Sequence, residues 1–264
     1  MPLKIHKCLF FAIVGVLILF LAGCAASRLG GKTVRETFPT ESVASFVNAV
    51  SAGDYADAEK LIKADVNVNA VGVDGISPLL WIMGTTLDVT KIEYMLKAGA
   101  DPNYRDSKSK ASAMSIAAGG NRLDILEALL KNKGDPNLVG PREENLLMIA
   151  AGQFREKNIE MLLKYGADIN GHDRHQATVA IKAARLGRFD WVADFLNQGL
   201  TYNLQGLAKS VEVRQVPPNS GQQRWKEKVI EVLKAKGVTS PTFVACYPPG
   251  DARRKEEDCK RLKS

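Results

Sequence analysis

The chain has 264 residues, 45% hydrophobic and 25% charged, a balance that excludes a disordered polymer. Its net charge of +7 is spread along the sequence, so no concentrated basic face is offered to nucleic acid. No G-x-S-x-G elbow, phosphate loop or dinucleotide fingerprint occurs, so neither an enzyme nor a cofactor is expected.

In chain order the first element is an export signal. Lys4 and Lys7 precede an uncharged run from Cys8 to Ala22. As a helix that run would span roughly 22 Å, short of the ~30 Å core that a permanent span must cross. A basic start, a short apolar stretch and small residues at its end describe a signal peptide over residues 1–23. The end of the run, Leu21-Ala22-Gly23-Cys24, resembles the lipobox of bacterial lipoproteins. That resemblance implies cleavage before Cys24, lipidation of its thiol and acylation of the new amino terminus. Several acyl chains anchor far more firmly than one, so the membrane is an expected partner through the lipid. Ala25, Ala26 and Ser27 follow, and the lack of Asp at the second position implies the outer membrane, facing the periplasm. An ordinary secretory signal, or an anchor with an incidental cysteine, is the other reading of the same residues. Residues 24–41 then read as a tether between lipid and fold.

From residue 42 to 203 the chain repeats. Lys97-Ala98-Gly99-Ala100-Asp101-Pro102-Asn103 returns as Lys131-Asn132-Lys133-Gly134-Asp135-Pro136-Asn137, and again as Lys164-Tyr165-Gly166-Ala167-Asp168-Ile169-Asn170. Weaker copies run from Lys63 to Asn69 and from Asn197 to Asn203, and each copy follows an apolar pair such as Leu129-Leu130. Upstream in each unit lies a second signature: Ser112 to Ala118, Asn145 to Ala151, Thr178 to Ala184 and, in an earlier unit, Ser77-Pro78-Leu79-Leu80. The pair of signatures resembles the "TPLH-x-AA" opening and "L-L-x-x-G-A-D-x-N" closing of ankyrin repeats, over about five units. The resemblance implies an all-α solenoid of stacked helix–turn–helix units with short β-turn tips.

The spacing is physically coherent with that architecture. Ala117, Ala150 and Ala183 are small where the first helix meets its partner, and the leucine pairs supply the core ridge. The following glycine stops the second helix in a left-handed conformation, and Asp and Asn turn the chain. Lys133 departs from the glycine pattern. No unit buries its apolar face alone, so stability must come from stacking. Residues 204–240 read as a degenerate capping repeat, with a first helix over Gly206 to Val213 and a second ending at Gly237. Residues 241–264 read as a charged tail, where Cys246 and Cys259 could form one disulfide in an oxidising compartment or remain free thiols.

Ankyrin partners usually meet the concave face built by the first helices and the loop tips, and the resemblance carries this expectation here. Counting from each Ala-Ala pair, the concave positions are Ile116, Ile149 and Lys182, with Trp81 their equivalent and Arg185 nearby. A register shift of one residue would instead bury them. The tips carry Arg105, Lys108, Lys110, Arg142, Glu143, His172 and Arg174, which suit either a partner or plain solubility. His172 and His175 could contact a metal only if Asp173 joined them; a polar tip is the simpler reading, and no metal is expected. The expected function is a protein-binding scaffold, in one concrete form an immunity lipoprotein that neutralises a toxin delivered into the periplasm. The alternative is a structural or protective protein that supports an envelope enzyme under stress.

Overall fold

The computed structural model describes residues 28–238, so the signal segment, Cys24, Cys246 and Cys259 lie outside the described residues. Among the described residues there are thirteen α-helices, isolated β-bridges and no strand. None of these helices is long and apolar enough to cross a membrane. The chain divides into two compact units, with the boundary between Ala100 and Asp101.

The first unit holds α1 (Val34–Thr37), α2 (Glu41–Ala52), α3 (Tyr55–Lys63), α4 (Pro78–Thr85) and α5 (Val89–Lys97). Its core is Phe46, Val47 and Val50 of α2, Leu79 to Met83 of α4, and Ile92, Met95 and Leu96 of α5, all buried. The segment expected to be a tether is ordered here from residue 28 and packs on this core. Leu29 and Lys32 pair across a turn at Gly30 and Gly31, and Thr33 and Glu36 form a capping box that starts α1. Phe38, 2% exposed, meets the Trp81 ring edge-on at 6.0 Å. Two glycines make room for this strap. A Cβ on Gly72 would lie 2.5 Å from the Thr37 carbonyl oxygen, and one on Gly84 would lie 2.7 Å from Leu29 Cδ1. An ion pair between Lys32 and Asp74 ties the strap down.

The second unit holds three helix pairs, α6 (Ala113–Gly119) with α7 (Leu123–Lys131), α8 (Leu146–Gly152) with α9 (Glu156–Lys164), and α10 (Val179–Leu186) with α11 (Phe189–Asn197). A fourth pair, α12 (Leu204–Val213) and α13 (Gly221–Ala235), follows, and Gly237 lies beyond it with φ 74°. Each first helix has a polar side chain at its N-cap. Ser112, Asn145 and Thr178 accept the backbone N–H of Ser115, Met148 and Ile181, as Ser77 accepts that of Leu80 in the first unit. Each such cap contributes about 1 kcal/mol. The second helices α7 and α11 start differently: Arg122 and Arg188 sit at the N-cap and grip Asp124 and Asp190 of the first turn. At α11 the orphan N–H of Phe189 is met from outside, by Gln222 Oε1 of α13 at 2.8 Å.

Small residues let the first helices approach one another. Ala117, Ala118, Ala150, Ala151, Ala183 and Ala184 are all buried, and Leu129, Leu162, Phe195 and Leu196 fill the space behind them. Two devices fix the register between repeats. At the turns, Asn103 donates to the Lys133 carbonyl and accepts from the Asp135 N–H, and Asn137 does the same with Gly166 and Asp168. Asn170 closes the series by accepting from Thr201 and Tyr202. The second device is Asn158 of α9, which is 4% exposed. Its amide donates to the carbonyls of Ala117, Ala118 and Gly120 at the C-terminal end of α6.

Candidate protein-binding surface

The concave positions share one address, four residues after a first-helix N-cap, yet their surroundings differ. Trp81 is 0% exposed and takes no part in an open surface. The sequence expectation is corrected at this residue because the strap carrying Phe38 lies over it, a contact from outside the repeat. In the second unit Ile116 is 43% exposed and Ile149 is half-buried. Ile149 leans back over glycines. A Cβ on Gly119 would be 3.2 Å from its Cγ2, and one on Gly140 would be 2.4 Å from its Cδ1. Lys182 lies similarly over Gly152, with its Cε 3.1 Å from such a Cβ. Glycines thus form shelves that hold Ile149 and Lys182 low and leave a shallow floor.

Lys182 is not a free cation. It is paired with Glu144, whose other oxygen accepts from Arg142 at 3.1 Å. The Glu144 side chain is only 14% exposed. Burial pushes its carboxyl up, but the hydrogen bond and charge of Lys182, with those of Arg142, outweigh this and hold it below its ordinary value. The cluster, one carboxylate held by two cations, therefore presents a fixed polar edge of net positive charge beside the Ile149 floor. Arg185, one turn further along α10, is exposed and belongs to a separate group near α12.

The tips stand out as three hairpin-like turns, pinned by bridges between Arg105 and Ser112, Val139 and Asn145, and His172 and Thr178. Arg105, Lys108, Lys110, Arg142, Glu143, His172 and Arg174 are all exposed there. The first tip is organised by Asp106, which is 5% exposed and accepts from the backbone N–H of Lys108 and Ser109. Burial raises the Asp106 carboxyl, yet hydrogen bonds from Ser109 and the two backbone groups bring it below the usual range. Successive tips touch through Arg174 and Glu143 at 3.8 Å. The His172 ring stacks on Tyr202 at 4.2 Å, and Arg174 Nε donates to His175 Nε2 at 3.1 Å.

Sequence reasoning missed Lys209, Val213 and Arg214, which the structure brings next to Arg185. A signal existed. Lys209 and Val213 stand four apart, so they share one face of α12. Counting from Ala-Ala pairs could not find them because α12 has no such pair.

Comparison with known proteins bears on the repeats. Residues 114–205 match the family model for ankyrin repeats in three copies. The chain is 27% identical over 104 residues to the Caenorhabditis elegans ankyrin repeat and KH domain-containing protein mask-1, covering 39% of this chain and 4% of that one. It is 31% identical over 88 residues to an ankyrin repeat protein of Acanthamoeba polyphaga mimivirus, covering 31% and 15%. It is 33% identical over 76 residues to the Drosophila melanogaster transient receptor potential channel pyrexia, covering 29% and 8%. The chain therefore spans a small fraction of these relatives, and the likeness is one of repeats. Paired helices, pinned tips, asparagine-linked turns and the matched repeats together identify the fold as an all-α ankyrin-repeat solenoid.

Proposed function

We propose that this protein is a lipid-anchored scaffold on the outer membrane, facing the periplasm, which binds a protein partner through the concave side of its second unit. Its concrete form would be an immunity lipoprotein that holds and neutralises an antibacterial toxin. Ankyrin repeats point to protein binding in general; the observation that carries the finer reading is the floor of exposed Ile116 and half-buried Ile149, the latter resting on Gly119 and Gly140. Apolar groups left open at a defined depth, bordered by fixed charge, have the composition of an interface centre with a polar rim. The anchor rests on Leu21-Ala22-Gly23-Cys24.

Two experiments test the two halves. Cys24→Ser should abolish lipidation and release the protein from membranes; a variant that stays fully acylated and membrane-bound overturns the anchor. Affinity capture from envelope extracts should recover a hydrolytic toxin in stoichiometric amount with the natural chain and lose it with Ile116→Asp. Recovery of a resident envelope enzyme instead would replace immunity with a protective role. Undiminished capture by Ile116→Asp would remove the concave floor from either role.

A further inference from the structure

Between α10 and α12 the second unit leaves an open cleft of about 560 Å³, lined by Arg185, Lys209, Ser210, Val213, Arg214 and Gln215. Arg185, Lys209 and Arg214 are exposed, and among the described residues no carboxylate pairs with any of them. Elsewhere in the unit several cations are held by carboxylates: Arg122 by Asp124, Arg142 and Lys182 by Glu144, and Arg188 by Asp190. The one carboxylate close in sequence, Glu212, is half-buried and interacts with Lys226 of α13. Lys226 in turn donates to the carbonyls of Glu212 and Arg214, fixing the end of α12. Among the three cations stands Val213, a branched side chain that the described residues leave 57% exposed.

Unpaired like charges gathered on one wall repel one another, and an exposed valine beside them adds no solubility. Both features gain from a ligand that brings carboxylates and one apolar side chain together. We propose that this cleft docks an acidic segment of the protein partner, its carboxylates meeting Arg185, Lys209 and Arg214 and one aliphatic side chain covering Val213. The inference deepens the scaffold reading, on which it rests, by giving the partner a chemistry. Arg185 lies one turn beyond Lys182, so a segment seated here would be continuous with a partner lying on the Ile116 and Ile149 floor. Because the three cations are exposed, attraction to them steers encounter and sets selectivity more than it fixes affinity.

The test uses the full-length protein in detergent and a fluorescein-labelled peptide of alternating glutamate and leucine, followed by fluorescence anisotropy. Saturable binding is expected, weakened about tenfold between roughly 50 and 500 mM salt as screening grows. Combined Arg185→Glu and Arg214→Glu should weaken it about tenfold or more with an unchanged melting temperature, as expected for exposed positions. Val213→Asp should weaken it further. The lysine-for-leucine-and-glutamate counterpart should not bind. An all-glutamate peptide binding equally well would overturn the role of Val213. Phosphatidylglycerol vesicles binding through these cations while the peptide does not would overturn the protein segment in favour of a membrane. No peptide binding, with partner capture still dependent on Ile116, would overturn the cleft and leave the scaffold reading standing. The reverse pattern would overturn the floor and leave the cleft.

Discussion

Trp81 and Ile116 occupy the same place in two repeats, each four residues after the N-cap of a first helix, and meet opposite fates. In the first unit the chain folds its own residues 29–38 over that place, so that Phe38 and Leu29 cover what the repeat leaves open. In the second unit no such strap exists among the described residues, and Ile116 stays 43% exposed. A repeat fixes where a side chain sits, while chain from outside the repeat decides whether it serves the core or a surface. The largest expected effect follows directly. Trp81→Ala should destabilise the first unit by about 3–5 kcal/mol, the range for emptying a large buried aromatic site. Ile116→Ala should cost less than about 1 kcal/mol, as surface truncations do. Urea denaturation followed by circular dichroism separates the two, and equal costs would erase the distinction.

The second unit, without a strap among its described residues, is tied together by hydrogen bonds between its repeats, of which Asn158 makes the most buried. Asn158→Ala removes the side-chain donor shared by three carbonyls at the end of α6, those of Ala117 and Ala118 being buried. Since leaving a buried polar group unpaired costs about 1–3 kcal/mol, a total loss of about 2–4 kcal/mol is expected. Hydrogen exchange should speed up first in α6 and α9. If only α9 loosens, Asn158 holds its own helix and does not link the repeats.

The second unit was far more legible in the sequence than the first. Its helices follow a period of about 33 residues marked at both ends, by Ser112, Asn145 and Thr178 at the starts and by the Asp and Asn turns at the ends. Such signals are local and recur, so any one copy supports the others. What escaped reading depends on contacts that recur nowhere. Phe38 finds Trp81 across two intervening helices, α2 and α3, and Lys182 finds Glu144 38 residues earlier. Gly72 and Gly84 look like ordinary loop and helix-end glycines until Thr37 and Leu29 are seen against them. The basic cleft escaped for a different reason: α12 lacks the alanine pair that marks the other first helices, so its outward face could not be counted from it.

The charge cluster sharpens the comparison with solution pH, because the second unit fixes its concave edge with an ion pair where the first uses aromatic packing. Glu144 has a folded-state affinity for protons below its ordinary value near 4.5. Its stabilisation is therefore complete above about pH 4.5 and is lost as pH falls through the lower folded value. Asp106 and Asp190 act in the same direction. The melting temperature of the natural chain should fall on acidification below that pH. Glu144→Gln should lower it at pH 7 and shrink the acid-dependent fall. A variant with the full acid response would mean that Glu144 contributes nothing to it.

The smallest effect tests the turns that both units share. At the residue ending each second helix φ is positive: 62° at Asp65, 94° at Gly99, 69° at Lys133, 89° at Gly166, 102° at Gly199 and 74° at Gly237. Four of the six are glycine, and Lys133 holds a conformation that costs an L-residue about 1–2 kcal/mol. Glycine would relieve that strain but would also free the unfolded chain, which offsets part of the gain. Lys133→Gly should therefore stabilise by about 0.5–1 kcal/mol, with Lys133→Asn between the two because asparagine tolerates this region. The Lys133 side chain is exposed, so little packing is lost, and its carbonyl remains available to Asn103. A lower melting temperature for the glycine variant would mean that the lysine stem contributes more than the strained backbone costs. In that case the turn is held by its side chains and not by the left-handed residue at its corner.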